Sequence, residues 1–425
     1  MSNTTPTSRI SGFHKLTIQE RLNKVAEFCH LDDESRQQLA RPGNLDPELA
    51  DRLIENTIGT LSIPVGIATN MKIDQDDVLI PMATEESSVV AAVCNAARQC
   101  YDNGGFTTSM SGSLMIAQVQ LVGAQDPSAC RLKILEKKAE IKALCNACDP
   151  LLVQLGGGLH DIDVRVIHAV SEPMVVVHLI VDVRDAMGAN AVNSMAEALA
   201  PHIESWTGGR VYLRILSNLA DQRLARARAT WSCDAIGGPE VRDGIISAFH
   251  FAEADPYRAT THNKGIMNGV TAVVLATGND TRAVESGAHA YASLTGTYRS
   301  LTQWEIAENG DLAGSIEIPM AVGLIGGATK LHPTARACLE ILGVTTADRL
   351  AQIIAAVGLA QNFSALKALA TTGIQKGHMT LHSQNIAMMA GAVGSEIDRL
   401  AQRLIDRQAV RLDVAEQELE LLRKQ

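Results

Sequence analysis

Aromatic side chains make up only 3% of this chain, so its cores must be packed by small aliphatics and glycine. Positive charge is also in deficit. The formal net charge of −10 argues against nucleic acid or an anionic membrane as a partner, although a local field can still suit an anionic cofactor. Long apolar runs are missing: the longest, residues 174–183, is interrupted by His178 and too short to span a bilayer. The opening MSNTTPTSRISGFHK has no apolar core of the kind a signal peptide needs, so a cytoplasmic protein is expected. No Gly-x-Gly-x-x-Gly occurs between a strand and a helix, which disfavours an ordinary Rossmann domain. The eight cysteines are scattered, as reduced thiols are. Cys145 and Cys148 form one Cys-x-x-Cys without a second pair, so neither zinc nor a dithiol function is expected.

What is present is length and aliphatic content. At 425 residues and 46% hydrophobic, the chain exceeds one ordinary core, and two or three domains are expected. Residues 15–57 read as short helices, one led by Leu16–Thr17 and ending near His30, another capped by Asp46. Residues 63–80 alternate around an Asp-rich turn, the pattern of two paired strands. Thr84 is an expected N-cap, with Glu85 and Glu86 in the first turn of a helix that Gly104–Gly105 stops. Strands are expected at 114–122, 163–170, 174–182 and 210–215, and helices at 130–146 and 191–206. That β-α-β-β-α-β order suggests a ferredoxin-like insert. Gly323, Gly326 and Gly327 mark a place where backbone comes close to something. Past residues 391–395, Ile397, Leu400, Leu404 and Ile405 make one apolar stripe, the mark of an amphipathic helix docking on a core.

The stretch 255–291 carries the densest chemistry. Lys264 is expected in a polar loop, the apolar run 270–276 in a buried strand, and residues 281–291 in a helix opened by Asp280. Two readings fit: Asp280 is only an N-cap and Lys264 a solvated charge, or the two form a tuned cation–carboxylate site that stabilises an oxyanion.

HNKGIMNG, ATGND and DPYRATTHN resemble the catalytic segment of the 3-hydroxy-3-methylglutaryl-coenzyme A (HMG-CoA) reductase family, in its soluble bacterial class II form. ENTIGTLSIPVG, PMATEESSVVAA, NGGFTTS, VDVRDAMGAN, RILSNLADQRLARA, VGLIGGATKLHP and GHMTLHSQNIA extend the likeness over nearly the whole chain. The resemblance implies an α+β protein. Its large mixed helix/strand domain (1–111 and 221–376) would bind substrate and CoA and dimerise. A small ferredoxin-like NAD(H) domain (112–220) is inserted, and a C-terminal helical flap (377–425) follows.

It further implies conversion of HMG-CoA to mevalonate and CoA by two hydride transfers, in a homo-oligomer built from dimers. Glu86, Lys264, Asp280 and His382 would be catalytic. Ser88, Asn218, Arg258 and Asn268 would hold the acyl group, Arg258 by pairing its free carboxylate. DAMGAN would be the dinucleotide loop, through Asp185, Met187, Gly188, Ala189 and Asn190; read alone, it is first a structural strand–Gly–helix turn, and the resemblance is what makes it a dinucleotide loop. Asp149 matches the aspartate of NADH-preferring members, because a carboxylate at the adenosine ribose repels a 2′-phosphate. Asp149 also reads as a cap ahead of Pro150. His378 and His382 stand four residues apart, but no third ligand supports a metal. The alternatives are an NADP(H)-preferring member, a thiolase-like or lyase enzyme, which would need an activated cysteine, and a non-redox acyl-CoA-binding protein.

Overall fold

The computed structural model describes residues 7–41, 45–168, 172–371 and 373–424. Three short helices come first, α1 (Ile18–Cys29), α2 (Asp33–Ala40) and α3 (Pro47–Leu53). Thr17 and Glu20 close a reciprocal capping box on α1, and Asp46 caps α3 through the Glu48 and Leu49 amides. The hairpin β1 (Val65–Ile73) and β2 (Asp76–Ala83) follows, then α4 (Val89–Cys100) and β3 (Phe106–Met110).

The chain next builds β4 (Leu114–Val122), α5 (Pro127–Glu136), α6 (Lys138–Cys148), α7 (Pro150–Gln154), β5 (Gly158–His168), β6 (Pro173–Asp182), α8 (Ala189–Thr207) and β7 (Arg210–Ser217). These strands form one antiparallel sheet in the order β5-β6-β4-β7. That is the ferredoxin-like arrangement, and the sheet has its own core of Val177, Leu179, Val192, Met195 and their neighbours.

The remainder comprises β8 (Leu224–Trp231), α9 (Cys233–Ile236), α10 (Pro239–Ala254), α11 (Pro256–Ala276), α12 (Thr281–Tyr291), β9 (Thr302–Ile306), β10 (Leu312–Pro319), α13 (Gly327–Leu331), α14 (Pro333–Leu342) and α15 (Ala347–Ala370). Strands from both sides of the insert join one six-stranded sheet, β2-β1-β3-β8-β10-β9. Four of the few aromatics cluster here: Trp231 stacks on Phe363 at 4.4 Å and meets Trp304 and Phe106 tilted or edge-on. Among the described residues α15 alone is apolar and long enough to cross a membrane, but it is the central core helix, with Leu359, Ala360 and Phe363 fully buried. Helices α16 (Ile374–Met389), α17 (Ser395–Asp406) and α18 (Leu412–Arg423) end the chain around a small core at Leu400, Leu404 and Leu419.

Three expectations need correction. Residues 270–276 are not a strand but the last two turns of α11, and Lys264 lies mid-helix rather than in a loop. The run looks strand-like because the exposed stripe of α11, polar at Thr260, Lys264 and Asn268, ends here on Thr271 and the apolar Leu275. It crosses α15 closely: a Cβ on Gly269 would meet Gln361 at 3.0 Å, and one on Gly358 would meet Val270 at 2.9 Å. Second, α4 begins at Val89, not after Thr84, so Glu85 and Glu86 lie in the turn ahead of it. Third, residues 130–146 are two helices, broken at Lys137.

Candidate functional site

Ser88 sits at the N-cap of α4 with φ 71°, a left-handed conformation costly for a residue with a side chain. The kinked turn presents Glu86 to solvent instead of enrolling it in the helix. Across 178 residues of sequence, the Lys264 ammonium donates to Glu86 Oε2 at 2.8 Å. Both ends of this ion pair are open, at 61% and 43% side-chain exposure.

Glu86 and Ser88 line a cleft of about 2070 Å³. That is roughly twice the size of an ordinary small-molecule pocket, enough for a long, bipartite ligand. Asp280 lines the same cleft. Its carboxylate caps α12 through the Arg282 and Ala283 amides at 2.9 and 3.2 Å, and pairs with the Arg282 guanidinium at 3.1 Å. The capping role read from sequence is therefore real, and it coexists with a place on the cleft wall.

The 186–191 loop lines the same cleft. Helix α8 opens at Gly188, φ 101°, without a side-chain cap, so its first amides face the cleft unclaimed by a capping side chain. A Cβ at Gly188 would meet the Val183 side chain at 2.7 Å, so only glycine fits. This is a cradle suited to a phosphate group. Asp149 also reaches the cleft while accepting from Leu152 N at 2.9 Å as the cap of α7.

Other residues stand apart. Asp185 turns its carboxylate away to cap α15, accepting from Ala347 N at 2.8 Å. Arg258 lies in the first turn of α11, half-buried, its pKa lowered by desolvation. Asn268 follows Lys264 by one helical turn and is half-buried. Asn218 is exposed beyond β7; its carbonyl lies 2.5 Å from where a Cβ on Gly287 would be. His382 is exposed on α16 and does not line the cleft; the side chain of His378 lies outside the described residues. Among the described residues no three His, Cys, Asp or Glu side chains gather as a metal would require.

Two features escaped the sequence reading. Arg223, fully buried, donates to the Ala186 and Met187 carbonyls at 3.0 and 3.3 Å and to Val322 at 2.7 Å, so it clamps the dinucleotide-type loop. Burial lowers its pKa to about 10. Its only sequence signal is its place in RILSNLADQRLARA. The N-terminal segment also contributes to the wall, through Phe13, Ile18, Arg21 and residues 60–66. Of the three glycines expected at a close approach, Gly323 is one, since a Cβ there would meet Met187 N at 2.4 Å, whereas Gly326 and Gly327 face open space and serve their positive φ of 93° and 56° instead.

An α+β scaffold, a phosphate-type cradle on an inserted ferredoxin-like unit and, on the wall of one long cleft, a glutamate paired with Lys264 define the class: an enzyme that brings a nucleotide to a second extended ligand. The model of the hydroxymethylglutaryl-coenzyme A reductase family matches residues 17–383. A reductase of that name from Archaeoglobus fulgidus is 58% identical over 416 residues, covering 98% of this chain and 95% of the relative. A probable one from Borreliella burgdorferi is 38% identical, covering 88% and 86%. Among solved structures, the Streptococcus pneumoniae reductase superposes with TM-score 0.83 at 40% identity, over 97% of this chain and 99% of that one. A class II structure from the same organism, described as bound to NADPH in open conformations, gives 0.81. The chain belongs to the HMG-CoA reductase family.

Proposed function

We propose that this chain interconverts HMG-CoA and mevalonate plus CoA, with Lys264, Glu86, Asp280 and His382 as the catalytic side chains. The observation that carries the reading is the Lys264–Glu86 contact joining HNKGIMNG to PMATEESSVVAA at the cleft. The dinucleotide, when bound, supplies hydride in each of two rounds. The cradle at Met187, Gly188, Ala189 and Asn190 suits its pyrophosphate, and Asp149 its adenosine ribose, so NADH is the preferred form. Asp185 would act there only indirectly, by fixing the loop to α15.

The Lys264 ammonium stabilises the oxyanion that forms at the substrate carbonyl. Glu86, already hydrogen-bonded to Lys264, gives or takes the proton of that oxygen. Asp280 adds negative charge to the same wall. His382 protonates the departing CoA thiolate, which requires the C-terminal helices 377–425 to swing toward the cleft as a flap. Ser88, Asn218, Arg258 and Asn268 hold the acyl part, Arg258 as the counter-ion of its carboxylate. The large domain 1–111 and 221–376 and the inserted domain 112–220 then carry substrate and dinucleotide respectively. We place the enzyme in the cytoplasm as a homo-oligomer of dimers. Ile58 and Leu61, exposed beside the cleft, supply an apolar surface for a second copy to cover.

The test is dinucleotide oxidation driven by HMG-CoA. Lys264→Ala should lose about a hundredfold or more in turnover while remaining folded. Near-normal turnover in a folded Lys264→Ala protein would remove the assignment. Failure of the unmodified chain to consume dinucleotide would favour a non-redox acyl-CoA-binding protein.

A further inference from the structure

The Lys264–Glu86 pair cannot hold the lysine in place by itself. Both side chains are open to solvent, where such pairs are weakened by hydration and screening. The position of the ammonium must therefore come from the backbone turn that carries it. That turn is fixed from below by two residues buried in the core, His262 and Asn263, at 2% and 0% exposure.

Asn263 uses both ends of its amide on the loop between α12 and β9. Its Nδ2 donates to the Arg299 carbonyl at 2.7 Å, and its Oδ1 accepts from Leu301 N at 3.0 Å. His262 Nε2 meets Ser300 Oγ at 2.8 Å, Thr302 Oγ1 at 3.0 Å and Asn362 Nδ2 at 3.2 Å. Trp304 Nε1, which can only donate, lies 2.9 Å from Asn362 Oδ1 and 3.2 Å from Thr302 Oγ1, and so ties the cluster to β9. His262 Nδ1 has no hydrogen-bond partner among the described residues, so the ring is held through Nε2 alone. Burial and the Arg258 charge push the His262 pKa down to about 3, so the ring stays neutral at any working pH. The same loop reaches the helix that Asp280 caps, because Tyr298 Oη lies 2.6 Å from His289 Nδ1.

We propose that His262 and Asn263 are positioning residues, which lock the Lys264 turn of α11 to the loop at 298–302 and so hold the ammonium at Glu86. The proposal rests on Lys264 being the oxyanion-stabilising group. It differs from a purely structural role in one respect: displacement of Lys264 harms the chemical step more than it harms substrate affinity.

The experiment measures kcat and KM for HMG-CoA per folded molecule in Asn263→Ala, His262→Ala and His262→Gln, with Lys264→Ala alongside. A misplacement of about 1 Å at a reacting group costs on the order of a hundredfold, so Asn263→Ala should lose roughly that much in kcat. KM should rise by a smaller factor than kcat falls, because Arg258 and Asn268 on the same helix hold the acyl group but do not meet the developing oxyanion. His262→Gln, which offers a neutral hydrogen-bonding group in place of Nε2, should recover much of what His262→Ala loses. If Asn263→Ala fails to fold, the comparison of Gln with Ala at position 262 decides. Full kcat in Asn263→Ala, a rise in KM alone, or Gln performing no better than Ala overturns the proposal. With Lys264→Ala inactive, those results sink only the positioning role; an active Lys264→Ala sinks the assignment of the lysine, and the positioning role with it.

Discussion

Gly323→Ala tests whether the 185–187 loop is held at a fixed distance from the glycine-rich stretch. A methyl group at this position would meet Met187 N at 2.4 Å, the Ala186 carbonyl carbon at 2.9 Å and the Asp185 carbonyl oxygen at 3.2 Å. All three are backbone atoms, so no side-chain rotation relieves the contact. Ordinary contact begins near 3.4 Å, and the loop must back away by about 1 Å. Arg223 resists that movement, because it holds the Ala186 and Met187 carbonyls and is itself anchored at Val322. Overpacking of this sort costs about 1–3 kcal/mol, divided between lower stability and a displaced loop. The displaced loop carries the cradle at Gly188, so KM for the dinucleotide should rise about tenfold or more while KM for HMG-CoA is spared. Steady-state kinetics with each substrate varied in turn, together with thermal melting, gives both quantities. An unchanged dinucleotide KM together with an unchanged melting temperature would refute the reasoning.

Three further outcomes are expected. His382→Gln should cut turnover of HMG-CoA sharply and spare reduction of free mevaldehyde, which has no thiolate to protonate; equal loss on both would assign His382 to the order of the flap instead. Asp149→Ala should reduce kcat/KM with NADH and raise it with NADPH, since a like-charge contact with a 2′-phosphate costs on the order of a hundredfold in the unmodified protein; a native preference for NADPH would remove Asp149 from the ribose site. Glu396 is held at about 2, below its ordinary 4.5, chiefly by a two-point bond with Arg423, at 2.9 and 2.8 Å, that ties the start of α17 to the end of α18. A lowered carboxylate pKa contributes stability above the ordinary value and loses it as pH falls through the folded one. Protection of the amides in α17 and α18, relative to their intrinsic exchange rates, should therefore fall as pH is lowered from 4.5 to 2. Glu396→Gln should show the same loosening at neutral pH, and native-like protection there would count against the tie.

The ferredoxin-like unit was legible because its strands show the ordinary contrast between faces. In β4, Met115, Ala117, Val119 and Leu121 are buried while Gln118 and Gln120 are half-exposed. The same reasoning failed on α11 for a physical cause. Its exposed stripe runs through Thr260, Lys264, Asn268 and Thr271 to Leu275; because that last position is apolar, the run 270–276 taken by itself has only Thr271 to interrupt it and reads as a buried strand. Gly265 and Gly269 then look like loop or strand breakers, although Gly269 is there to let α15 approach. Nothing local distinguishes that use of glycine from the other.

The failure at Glu86 is of another kind. Thr84 followed by two glutamates is a sound N-terminal signal, and local preference alone would start the helix there. The chain instead delays it to Val89 and holds Ser88 at φ 71°, a strain on the order of 1–3 kcal/mol that no capping bond offsets. Enrolled in the first turn, Glu86 would spend its charge on the helix dipole, as Glu20 does on the capping box of α1. Released into the turn, its carboxylate has one charged partner, Lys264, brought from another element. Local rules are broken most visibly at the place where the two halves of the proposed catalytic pair must meet. This is where a sequence that otherwise obeys them would be expected to give way to function.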